Sequence, residues 1–179
     1  MVRVRERLRG KSWGLARARG IAAEIGGNRA AVRALVVELF GEDVEVRKRA
    51  ADVARRITER DARPLEGYAD ELAGLLESLP VVESRTRWHL GLVVPRVAHT
   101  RLQRLRAARV MQLLAQDESN VVRCSAVEGL GTLALVEPSL RDEAEAMVEM
   151  YLREGTTLAM KSRARGVRKM LTKRYGERL

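Results

Sequence analysis

The chain has 179 residues and a net charge of +10, with 46% hydrophobic but only 3% aromatic residues. That length can bury a core as one domain or a short repeat array, and the core must come from Leu, Val, Ala and Ile. No run approaches the roughly 18–20 apolar residues that span a bilayer, and the basic N-terminus lacks the apolar segment of a secretory signal. Cys124 stands alone, which excludes an intramolecular disulfide and a cysteine-rich metal site; a cytoplasmic location is the default expectation.

The 3.6-residue spacing of apolar positions predicts nine helices and no strand. The first covers about 11–25 and stops at Gly26-Gly27. Asn28 caps a helix over 29–40, and Asp43 caps one over 44–60 with Val46, Ala50, Val53 and Ile57 on one face. Pro64 suits the first turn of a helix over 65–79, closed by Pro80. Ser84 caps 85–97, where Pro95 should kink or stop the helix. Thr100 caps 101–116, and the polar turn Asp117-Glu118-Ser119-Asn120 leads into 121–135. Ser139 caps 140–154, and Thr156 or Thr157 opens 158–175. Residues 1–10 read as a basic N-terminal arm and 11–179 as one domain.

Four of these helices open on stretches that align at steps of 40, 36 and 38 residues. They are Val46-Arg47-Lys48-Arg49-Ala50-Ala51, Thr86-Arg87-Trp88-His89-Leu90-Gly91, Val122-Arg123-Cys124-Ser125-Ala126-Val127 and Met160-Lys161-Ser162-Arg163-Ala164-Arg165. A recurrence of that length signals stacked helix pairs, because one pair alone cannot bury its apolar face. The segment Asp117-Glu118-Ser119-Asn120-Val121-Val122-Arg123 resembles the turn of HEAT repeats, in which an acidic turn precedes a Val-Arg pair. Glu42-Asp43-Val44-Glu45-Val46-Arg47 is similar, whereas 83–87 lacks the valine and 155–161 lacks the acid. The resemblance implies an all-α, right-handed solenoid of about four helix pairs with the first helix as a cap. It also implies a ladder in which Arg47, Arg87 and Arg123 bind acids of neighbouring turns, Asp117 among them. It implies little about function, because such scaffolds serve unrelated partners.

Charge is segregated along the chain. Residues 1–19 and 161–179 together carry +13, leaving −3 for everything between. On a helical wheel the last helix has a core stripe of Met160, Ala164, Val167 and Leu171, and an adjoining face of Lys161, Arg165, Arg168, Lys169 and Lys173. Those five cations, with Arg3, Arg5, Arg7 and Arg9 as a flexible arm, form the candidate polyanion site. The matching face of earlier helices holds Arg47, Lys48 and Arg55, then Arg87, Trp88 and Pro95, then Arg123, Cys124 and Gly131. The bland alternative is a solvated face in a heat-adapted protein, since Asn and Gln together number only five (Asn28, Asn120, Gln103, Gln112, Gln116).

No catalytic constellation stands out. Trp88 and Trp13 either seal the edge of a core or stack on a base. His89 and His99 lack companions at metal-ligand spacing, Cys124 reads as a packed residue, and no cofactor or small-molecule site is expected. Asp70/Glu71 and Asp142/Glu143 suit the positive ends of helices. The leading expectation is a non-enzymatic scaffold binding protein or nucleic acid. The alternative is an enzyme similar to the alkylpurine DNA glycosylases built from HEAT-like repeats, which clasp DNA in a basic face lined with Trp, Asp and Arg; no Asp can be assigned to Trp88 from spacing alone.

Overall fold

The computed structural model describes residues 3–10 and 12–176. Among them the chain forms eleven α-helices, two 3-10 turns and no strand. In chain order these are α1 (Val4–Leu8), α2 (Leu15–Ile25), α3 (Arg29–Leu39), α4 (Val44–Arg60), α5 (Arg63–Glu66), α6 (Ala69–Ser78), α7 (Ser84–Val97), α8 (Arg101–Leu114), α9 (Asn120–Val136), α10 (Arg141–Glu154) and α11 (Leu158–Tyr175).

Side-chain caps set several starts. Asn28 accepts from the Ala31 amide at 3.1 Å, Asp43 from Val46 at 3.1 Å and Thr157 from Met160 at 3.2 Å. Thr100 and Gln103 form a reciprocal capping box. Three departures from the sequence expectation are local. The helix expected over 65–79 breaks at Gly67-Tyr68 into α5 and α6, the turn sinking Leu65 completely into the core. Ser84 and Ser139 do not cap, because 3-10 turns at Val81–Glu83 and Pro138–Leu140 lead into the following helices. Helix α7 ends at Val97 as expected, two residues past Pro95. The first expected helix begins at Leu15, and Lys11 lies outside the described residues.

The largest departure is at the N-terminus. The expected flexible arm folds as α1, whose Val4 and Leu8 are buried against α3 and α4. One hydrophobic cluster then continues from Val4 to Leu171. Helices α3, α6, α8 and α10 pack on α4, α7, α9 and α11 respectively, and α2, α4, α7, α9 and α11 pack each on the next. The α7–α9 contact is nearly backbone to backbone: a Cβ on Gly129 would meet Met111 Sδ at 2.5 Å, Pro95 Cγ at 2.7 Å and the Gly91 carbonyl at 3.0 Å. The result is one row of neighbouring helices, α2, α4, α7, α9 and α11. No helix among the described residues is long and apolar enough to cross a membrane.

Candidate functional site

Three rungs of charge tie successive turns together. Arg47 pairs with Glu83 and also donates to the Gly41 carbonyl at 2.6 Å. Arg87 grips Asp117 through Nε and Nη2 at 2.9 and 2.6 Å and donates to the Leu79 carbonyl at 2.7 Å. Both arginines are largely buried, and both acid side chains are almost fully so. The third rung, Arg9 to Asp43 at 3.5 Å, was not foreseen. A clue was present, since Arg9 lies one repeat step, 38 residues, before Arg47.

Arg123 departs from the expected ladder. No acid among the described residues pairs with its guanidinium, which lies over the Tyr151 ring at 5.6 Å. The reason is chemical: the turn ahead of α11, Gly155-Thr156-Thr157, carries no carboxylate. Tyr151 replaces the missing acid with a π face and donates its hydroxyl to the Arg123 carbonyl.

The nine expected polyanion-binding residues separate into two groups. At the N-terminus, Arg3 pairs with Glu6, Arg5 with Glu38, Arg7 with Glu24 and Arg9 with Asp43. These were expected to be unpaired cations on a flexible arm; the α1 turn itself gives Arg3 its acid, and docking of the segment against α2, α3 and α4 brings acids to Arg5, Arg7 and Arg9. At the other end Arg168 also finds an acid, Glu149 of α10. Lys161, Arg165, Lys169 and Lys173 have no acid partner among the described residues. The last three are exposed, and the Lys161 stem is half-buried against Gly155. Their four-residue spacing makes a ridge about 18 Å long at ~1.5 Å per residue. The core stripe beside it, Met160, Ala164, Val167 and Leu171, is buried as its spacing requires.

A second constellation, invisible in the sequence, lies at the other end of the same helix row. Trp13, Asp52, Arg55, Arg56, Arg85, Trp88 and His89 line an open cleft of about 430 Å³, with Glu45 and Lys48 at its edge. Asp52 on α4 supplies the acid beside Trp88 that spacing could not identify. It is already engaged: Oδ2 accepts from Trp13 Nε1 at 3.1 Å, while Oδ1 faces Arg56 at 3.1 Å and Arg55 at 3.5 Å. Arg55 and Arg85 lie over the Trp88 ring at 5.2 and 5.9 Å, and Arg49 over Trp13 at 5.2 Å. Burial drives the His89 imidazole down to about 4 against the pull of Asp52, with Arg55, Arg56 and Arg85 adding to the fall. His89 is therefore neutral at pH 7.

Between the two regions, Glu128 on α9 links Arg96 of α7 at 3.7 Å to Arg163 of α11 at 2.8 Å. Cys124 lies close by, and burial pushes its thiol up despite Arg163 and Arg123. No group of His, Cys, Asp and Glu among the described residues could hold a metal ion. No protein-family model matches the chain, and no curated protein matches it either.

Proposed function

We propose that the chain is a right-handed α-solenoid of HEAT-like helix pairs, a non-enzymatic scaffold that holds the phosphate backbone of a nucleic acid along α11. The neighbour-to-neighbour packing of second helices and the rungs near 36–40-residue steps support the architecture. The observation that carries the function is the ridge Lys161, Arg165, Lys169 and Lys173. Like charges at i,i+4 cost a helix a few tenths of a kcal/mol each. The N-terminal arginines relieve that repulsion with acids of their own fold, and this ridge finds none among the described residues. Its length and lack of walls suit an extended polyanion rather than a small ligand.

Glycosidic hydrolysis would ask for a carboxylate whose charge is open to a developing cation. Asp52 already balances Arg55 and Arg56, which favours the scaffold reading. The test is a salt series of binding titrations with mixed-sequence duplex DNA. Wild type should bind at low salt and weaken steeply as salt rises. Replacing Arg165, Lys169 and Lys173 with Gln should weaken every sequence alike and reduce the slope of log affinity against log salt by roughly one per lost contact. Absence of duplex binding at low salt, or unchanged affinity in the triple variant, would redirect the ridge to an acidic protein.

A further inference from the structure

The turns that join the two helices of each pair come together along one edge of the stack. Arg47 reaches Glu83, Arg87 reaches Asp117, and the Thr156 hydroxyl lies 3.5 Å from Asn120 Oδ1. Segments 40–44, 79–84, 115–121 and 155–158 therefore follow one another in a line. Apolar side chains stand in water at every one of them. Phe40 and Val44 in the first turn, Val81 in the second and Val121 in the third are about half exposed. Val82 in the second turn is 89% exposed and Leu158 in the fourth is 85% exposed. A single exposed valine needs no account, but here each of four successive turns adds at least one. Together they hold on the order of 500 Å² of apolar surface in water, near the top of the range for the largest patch on a monomer.

The charges along this edge indicate what covers it. Most are already matched: Asp43 with Arg9, Glu45 with Lys48 and Arg49, and Arg153 with Glu154, besides the two rungs. Arg123 lies over Tyr151. One charge per turn remains without an opposite partner among the described residues. Glu42 at the first turn and Glu118 at the third are exposed acids. Arg85, at the second, is exposed and rests on the Trp88 ring at 5.9 Å. Lys161, at the fourth, has its stem half-buried against Gly155. Along the edge the order is minus, plus, minus, plus. In the opposite direction it is plus, minus, plus, minus, so the edge is complementary to its own reverse.

We infer that this edge is the interface of a homodimer, in which two copies meet antiparallel about a two-fold axis between the second and third turns. Glu42 then faces Lys161 of the partner subunit, and Arg85 faces Glu118 of the partner subunit, each pair occurring twice by symmetry. The apolar rows cover each other between these pairs. About 500 Å² is also the apolar share that one partner gives to a standard interface of ~1,600 Å². A parallel pairing, or a uniformly acidic or basic partner, would leave charges of this row facing their own sign. The interface leaves Arg165, Lys169 and Lys173 free and does not rest on nucleic-acid binding.

Sedimentation equilibrium of the full chain from about 1 to about 300 μM is the test, together with melting over the same range. Wild type should pass from monomer to dimer, and its melting temperature should rise with concentration. The variant carrying Val82→Glu and Leu158→Glu should stay monomeric throughout and melt like the dilute wild type, because both side chains already stand in water. Glu118→Lys breaks two contacts by symmetry and should weaken dimerisation at least tenfold, as should Arg85→Glu. The two charge changes in one chain should restore it to within about threefold of wild type. The Arg165, Lys169 and Lys173 to Gln variant should dimerise as wild type does, which separates failure of this interface from failure of the ridge. A wild type that is still monomeric at the highest concentration overturns the proposal. So does association that continues past the dimer, or a dimer that survives replacement of Val82 and Leu158. Charge variants that dimerise like wild type, or a double variant no better than either single one, overturn the antiparallel pairing.

Discussion

The two ends of the chain have nearly the same basic composition and opposite fates. Residues 1–19 and 161–179 carry +6 and +7, yet the four N-terminal arginines that read as a flexible arm all end beside acids. The last helix leaves Arg165, Lys169 and Lys173 exposed and without an acid among the described residues. The difference lies in what faces each segment. α1 is anchored by Val4 and Leu8 onto α3 and α4, with Glu38 and Asp43 on its new neighbours and Glu24 on α2. The outer face of α11 meets no further helix among the described residues. Charge density alone therefore says little about a binding site; the acids within reach decide it.

The ladder gives the sharpest way to break that comparison. Glu83→Ala leaves Arg47 buried without its acid and should cost about 3–5 kcal/mol. Arg123→Gln, at the acid-free rung, loses only a cation–π contact of about 0.5–1 kcal/mol. Denaturant unfolding of both variants checks this, and equal costs would mean that the acid contributes nothing to its rung. Next comes the anchor of the N-terminal end. Leu8→Ala should destabilise by about 2–5 kcal/mol, since Leu8 is fully buried. A melting temperature indistinguishable from wild type would return residues 1–10 to the status of an arm.

A smaller effect is expected midway between the ends. Gly129→Ala forces a methyl against Pro95, Met111 and the Gly91 backbone and should cost about 1–3 kcal/mol by overpacking. Thermal unfolding measures it, and a neutral result would show that α7 and α9 can separate without loss. The smallest stability change belongs to the C-terminal ridge. The Arg165, Lys169 and Lys173 to Gln variant should melt at the wild-type temperature or slightly above, because it relieves i,i+4 repulsion of a few tenths of a kcal/mol. A substantial drop in melting temperature would give those cations a structural role and remove the main argument for the ridge as an interface.

Much of this protein was written locally. The caps at Asn28, Asp43 and Thr100, the core stripes of α4 and α11 and the all-helical class follow from residue type and 3.6-residue spacing, which act over one or two turns. The ladder position was legible at Arg47 and Arg87 because the repeat step is carried by the sequence itself. Three features were decided only by tertiary packing. Short α1 carries too few apolar residues to announce itself, and Val4 and Leu8 acquire meaning only when α3 and α4 are there to cover them. Which arginines are neutralised depends on partners 17 to 36 residues away, as with Arg7–Glu24 and Arg47–Glu83. The cleft joins Trp13, Asp52 and Trp88 from three separate segments, so no spacing rule links them. Local physics specified the helices and their inward faces; which charges were left over, and where two tryptophans met an aspartate, depended on how those helices stacked.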